Sequence, residues 1–525
     1  MKKRSLVLKL LTGFHMDTEV LVRHGRTCFV ALFMFSGLGW GQVTGRHLSN
    51  EEYLQLQIDS LQAQIQQMKS ELDKMRNTKG GAKDANERSV DPSIGSPLDT
   101  KSINGQPVSA GSADVASLRE DLGLLSQKVD DQDQTKIESS SRYRVRLSGI
   151  FLVNFFGNRG TVDNIENPAL PIVPPLANGA GSFGGTIRQT QLGLKVVGPD
   201  LLGARTSGDV EMDFAGGFSD SPGGSTVGLP RLRTGTVRLD WKRTSVIAGQ
   251  DGLFFSPLSP TSFASLEQPP LAYSGHLWGW APQIRIEHRF TSFAGSEITV
   301  TSGILDPISG ELPTDGNNRG IGVGEASIEP AFATHISWSK PVHHRPLGFG
   351  VGGFRARQHW QASGTGKQTT SWLVSNDWEL PTTRWASISG SLYRGKSIGV
   401  FGGGIGQSAI VTDAPDTIGG TNPQFSGLDS IGGWVQLKVQ PVPKIEFNAA
   451  FGQDNPFARE LGSGAAISYA GAPLVRNRTI FSNVIYRPRS DLLFSLEIRR
   501  IRGVQEADRS IETANHINMG MGILF

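Results

Sequence analysis

The chain has 525 residues, a formal net charge of +3, 19% charged residues and 65 glycines. So small a charge, with no basic block, excludes nucleic acid as a partner, and no stretch past the N-terminal region is apolar for long enough to cross a membrane as a helix. The single cysteine, Cys28, lies in the N-terminal apolar run, so a processed chain would hold none, which removes disulfide scaffolds, zinc clusters and thiol nucleophiles.

Residues 1–41 read as a signal peptide. Arg23 and Arg26 precede "CFVALFMFSGLGWG", an apolar run of about 14 residues, which is export-signal length and too short to span. Gly39 and Gly41 place small residues where a cleavage before Gln42 needs them, and Met16 is an alternative start closer to the run.

Residues 42–77 read as a coiled coil. Leu54, Ile58, Leu61, Ile65, Met68, Leu72 and Met75 alternate spacings of four and three, with Gln, Lys and Glu around them, which is a heptad seam. Residues 78–113 turn to Gly, Ser, Pro, Asp and Lys, the composition of a flexible linker. Residues 114–138 carry a second coiled-coil segment, with Val115, Leu118, Leu122, Leu125 and Val129 on one seam.

From 139 to 525 the period changes from helical to two. "YRVRLSGIFLVNFF" (143–156) sets Tyr143, Val145, Leu147, Phe151, Val153 and Phe155 against Arg144, Arg146 and Ser148, the alternation of a strand with one apolar face. Ile150 and Leu152 break the wet face and call for a partner there. About sixteen such segments follow, starting near 143, 186, 203, 231, 244, 282, 296, 331, 347, 369, 384, 430, 443, 477, 490 and 512. Short connections such as "PDLLG", "WKRTS", "PVPK" and "RPRS" alternate with long ones at 157–183, 304–330, 395–428 and 455–476. A soluble sandwich has no reason to sort its loops this way, whereas a membrane barrel does. The last strand, "INMGMGILF", puts Ile517, Met519, Met521, Ile523 and Phe525 on one face. The expected fold is an all-β transmembrane antiparallel barrel of about sixteen strands preceded by an α-helical coiled coil.

The heptads, then "SRYRVRLSG", "RQTQLGLKV", "DVEMDFAGG", "VIAGQDGLFFSPLSP" and the terminal Phe525, resemble the trimeric outer-membrane porins, and within them the DcaP-like group. The resemblance implies a homotrimer in outer-membrane lipid, assembled by machinery that reads the terminal Phe525, with the stalk in the periplasm within reach of the cell wall. It implies passive passage of small hydrophilic solutes, anionic dicarboxylates among them, without a cofactor. It also implies that the loop after the fifth strand, Gly252 to Gly279, folds into the lumen as a constriction. That loop carries Phe254, Phe255, Phe263, Tyr273, His276 and Trp278, with Glu267 its one acidic residue and no Lys or Arg.

Strand parity aims Arg144, Arg146, Arg205, Arg238, Arg285, Arg355 and Arg357 inward. A guanidinium fork suits a carboxylate solute, but Asp209, Glu211, Asp213, Asp240 and Glu287 share that face, so pairing across strands is the competing role. "GFGVGG" (348–353) and "GGGIGQ" (402–407) lack the strand–helix setting of nucleotide loops. His343 and His344 lack further metal-spaced ligands. His516 and Asn518 share the inward face of the last strand, but no serine accompanies them, and no enzyme is expected. The alternatives are a structural anchor that tethers the envelope through the coiled coil without passing solutes, and a receptor-like barrel that works through its outer loops.

Overall fold

The computed structural model describes Lys136–Ile137 and residues 144–525, except 174–180, 219–227, 292–294, 309–319, 343–344, 363–364, 413–423, 462–463 and 469–473. The expected signal peptide, first coiled coil, linker and nearly all of the second coiled-coil segment lie outside the described residues, as do His343 and His344. Lys136–Ile137, at the end of that second segment, are extended and pair with Arg146 and Val145, so the expected helix does not reach residue 138. The reason is a free edge: the last strand ends at the level of Gly149, leaving the backbone of residues 145 and 146 open on that side.

Sixteen spanning strands follow. The first eight are β1 (Arg144–Arg159), β2 in two pieces (Gly181–Thr186 and Gln191–Val197), β3 (Arg205–Asp213), β4 (Arg231–Asp240), β5 (Thr244–Gly252), β6 (Trp280–Thr291), β7 (Glu297–Leu305) and β8 (Ala331–Val342). The others are β9 (Arg345–Ala362), β10 (Thr365–Thr383), β11 (Ala386–Lys396), β12 (Asp429–Val442), β13 (Ile445–Pro456), β14 (Leu474–Tyr486), β15 (Leu492–Gln505) and β16 (Ile511–Leu524). Each pairs antiparallel with its neighbours in sequence, and β16 returns to β1, with Ile150 opposite Leu524 and Arg159 opposite Asn515. Closure pairs every spanning strand on both sides along the band, as strands in lipid require.

The seam is tight at one point. Gly149 N donates to Phe525 O at 2.9 Å, Phe525 N donates back at 3.2 Å, and the Phe151 and Phe525 rings stack 5.0 Å apart. A Cβ at Gly149 would run into the Gln191 carbonyl and the Phe525 ring, so only glycine lets β1, β2 and the C-terminus meet there.

Alternation sorts the two faces. Phe151, Phe155, Ile284, Ile286, Ile336, Val351, Phe447, Ile480, Ile498 and Met519 point outward and are exposed. Inward positions on the same strands hold Asn154, Gln283, Arg285, Ser337, Asn448, Asn483 and Glu497. An apolar outside around a polar inside is the reverse of a soluble barrel and marks a lipid-facing wall. Long and short connections sit at opposite ends. Parts of the connections 397–428 and 457–473 pair as a small sheet of Gln407–Thr412, Gln424–Gly427 and Ala465–Ser468 at the loop end.

Candidate pore and constriction loop

Residues 253–279, between β5 and β6, do not stay at the rim. The segment opens with Leu253, Phe254 and Phe255, which bury themselves against Phe354 of β9, Leu373 of β10, Tyr393 of β11, and Ile398 and Phe401 beyond it. The rings of Phe255, Phe354 and Phe401 lie 5.0–5.5 Å apart pairwise, and the Ser375 hydroxyl donates to the Phe255 carbonyl.

The segment then bonds to inward side chains of strands far around the wall. Thr261 N donates to Gln436 Oε1 of β12 at 2.6 Å, and Asn483 Nδ2 of β14 donates to Thr261 O at 2.9 Å. Ser262 Oγ donates to Glu497 Oε2 of β15 at 2.5 Å, and Asn154 Nδ2 of β1 donates to Phe263 O at 3.0 Å. Gln189, in the break of β2, donates to Ala264 O at 3.1 Å and accepts from Leu266 N at 2.6 Å. Arg233 and Arg231 of β4 donate to the carbonyls of Leu266 and Glu267 at 2.7 and 2.6 Å. Phe263 and Leu266 cover Ile150, Leu152 and Leu493, which supplies the partner that the two apolar residues on the wet face of β1 called for. On the way back, Gly275 takes φ +93° and presses on the backbone of Gly433, where a Cβ would not fit.

The loop side chains expected to line a constriction are therefore mostly packing groups. Phe255 is fully buried and Phe254 nearly so. Trp278 packs edge-on against Trp280, and Tyr273 is half-buried, its hydroxyl pushed up to about 12 mainly by burial. His276 is buried beside Trp434, with Nδ1 2.9 Å from Pro270 O. Burial holds its imidazole down at about 4, so it is neutral at neutral pH. Glu267 is buried and accepts from Asn164 Nδ2 at 3.0 Å. Burial raises its carboxyl, with Glu166 adding to the shift, against the pull of Arg188 and Arg231.

The seven arginines fall into three groups. Arg144, Arg146 and Arg205 keep the inward parity at the short-turn end, are exposed, and have no ion-pair partner among the described residues. Arg238 and Arg285 face inward but are paired, Arg238 with Asp240 (2.7 Å) and Glu287 (3.6 Å), Arg285 with Asp251 (2.8 Å) and Glu287 (3.3 Å). Arg355 and Arg357 do not face inward. They share the outward parity of Phe349 and Val351, Arg355 is exposed, and Arg357 bonds Glu329 at 2.9 Å. Phe354 takes the inward place because the lumen beside β9 is filled by Phe255 and Phe401, so an apolar residue turns in there and the arginines turn out.

Several groups that hold the loop escaped sequence reasoning. Arg499 is buried and donates to Glu497 at 2.7 Å, to Asn167 Oδ1 at 3.1 Å, to Pro168 O at 2.9 Å and to the Ser265 hydroxyl. Arg231 and Arg233 reach Asp213 at 2.6 and 3.4 Å and lie over the Trp280 ring. For Arg499 the one signal was its place on the wet face of a strand, whereas Arg231 and Arg233 share the parity of the outward Val237 and are brought inward by a register shift between β3 and β4. His516 and Asn518 bond Asn158 (2.7 Å) and Asn154 (2.8 Å). The "GFGVGG" glycines are strand and the "GGGIGQ" glycines form tight turns.

No family model and no curated protein matches the sequence. Solved structures do. The outer membrane channel DcaP of Acinetobacter baumannii superposes with a TM-score of 0.55 at 14% identity, covering 74% of this chain and 99% of that one. The anion-selective porin from Comamonas acidovorans gives 0.43 at 12% identity, covering 73% of this chain and 100% of its own. OprB of Pseudomonas putida gives 0.43 at 10%, covering 73% and 94%. At these identities what is shared is the fold, and the superposition with DcaP covers the barrel nearly end to end.

Proposed function

We propose that this chain is an outer-membrane porin of the DcaP-like kind, passing small hydrophilic solutes by passive diffusion. The observation that carries the reading is the run of hydrogen bonds that ties residues 253–279 to inward side chains of β1, β2, β4, β12, β14 and β15. A wall that is apolar outside and polar inside favours water within it, and a loop held across that water would narrow the path.

Selectivity for anions, dicarboxylates in particular, rests on the mouth at the short-turn end. Arg144, Arg146 and Arg205 stand there without carboxylate partners among the described residues, and unpaired charges at a pore mouth set the sign of the ion admitted. Deeper in, Arg238 and Arg285 are paired with acids and add little net charge. The assembly proposed is a homotrimer, with the N-terminal segment in the periplasm.

Liposome swelling tests the reading directly. Purified protein in vesicles should admit a small neutral sugar and, faster for its size, a C4 dicarboxylate. Vesicles that admit neither would leave the anchor reading standing.

A further inference from the structure

The outward face of β13 to β16 and β1 changes character at one level. Nearer the short-turn end it presents Phe451, Ile480, Ile498, Ile517 and Phe155, all exposed. One outward position closer to the loop end stand Gln453, Arg478, Arg500 and Asn515, and one step further Asn455, Arg476, Arg502 and Thr513, with Arg159 opposite Asn515 on β1. Arg159, Arg500 and Arg502 are exposed, and Arg476 and Arg478 half-buried. None of the five has an ion-pair partner among the described residues, and the outward positions of these five strands hold no carboxylate.

The register makes the arrangement more demanding. Arg478 lies directly opposite Arg502, and Arg500 and Arg159 flank Asn515 from either side. Like charges in opposite positions destabilise a strand pair, so this face is incomplete without an anion. Arginine is tolerated on a lipid-facing wall near the interface and not at the midplane, which is where a row just above the apolar band falls. From β14 to β1 the patch spans three strand spacings, about 14 Å, enough for two separate phosphates.

We propose that this face docks the phosphate groups of a bisphosphorylated glycolipid, with its acyl chains lying along the apolar row beneath. The guanidinium forks would grip phosphate oxygens two at a time, and the apolar row favours a lipid over free phosphate. The proposal rests on the outer-membrane reading and on the loop end facing outward, but it does not require the barrel to conduct.

Native mass spectrometry of the full-length protein in detergent tests it, with bisphosphorylated lipid A and its fully dephosphorylated form as probes. The protein should retain the bisphosphorylated form at least tenfold better, and 50 mM inorganic phosphate should weaken that preference. The triple variant Arg478→Gln, Arg500→Gln, Arg502→Gln should lose the preference while keeping its conductance. Equal retention of both lipids by the unmodified protein overturns the proposal whether or not the variant folds. So does a variant that keeps the lipid preference but falls from oligomer to monomer, which would assign the face to a second copy of the chain. A protein that binds the lipid yet passes no current would overturn only the porin reading.

Discussion

Arg499 and Glu497, two residues apart on the inward face of β15, meet at 2.7 Å with each side chain only 2% exposed. The pair is also the fastener of two loops, since Arg499 holds Asn167, Pro168 and Ser265 while Glu497 accepts from Ser262 and Asn483. Removing one partner of a buried pair strands the other charge, at about 3–5 kcal/mol. Arg499→Leu should therefore lower the temperature at which the barrel loses its compact electrophoretic mobility. The double variant with Glu497→Leu should lose less than the sum of the two single variants, because the pair is shared.

Phe255 anchors the start of the 253–279 segment in a cluster with Phe354 and Phe401. Truncating a buried Phe costs about 3–5 kcal/mol. The barrel's own strand pairing does not depend on this ring, so the loss should fall mainly on the loop. Phe255→Ala should give a folded barrel whose single-channel current is noisier and larger, and an unchanged current would separate the loop from the conduction path.

Charge reversal distinguishes the mouth from the outer wall. Arg144→Glu combined with Arg146→Glu and Arg205→Glu should shift the zero-current potential in a salt gradient toward cations. Arg355→Glu with Arg357→Gln should leave it in place, because both side chains are outside the lumen.

His276 gives the loop a pH dependence of known sign. Its folded-state value is pushed down to about 4, against roughly 6.5 when unfolded. The unfolded chain therefore binds the proton first, so the stabilisation is complete above pH 6.5 and is lost as the pH falls from there to about 4. The unfolding midpoint should drop across that window, and His276→Phe should flatten the drop, as followed by thermal scans at fixed ionic strength.

Much of the barrel was legible because two codes run in parallel along it. Period-two alternation placed the strand starts within a few residues, except that the segment expected from 186 falls on the break in β2 and the one from 369 begins at Thr365. Parity was legible only where the lumen is wet. On β9 an apolar lumen turned Phe354 inward and reversed the reading of Arg355 and Arg357. The loop's aromatics looked like a lining because sequence shows that they are greasy, not what they touch. Arg499 stood on the wet face of "DLLFSLEIRR", but Asn167 and Ser265 lie hundreds of positions away, and nothing local announces them.

The central claim is a water-filled lumen with residues 253–279 held across it. Single-channel recording of the purified full-length protein in a planar bilayer addresses it most directly. The account predicts discrete, nearly ohmic steps that scale with salt concentration and favour anions in a gradient. A correctly folded barrel that passes no current at any salt concentration would contradict it.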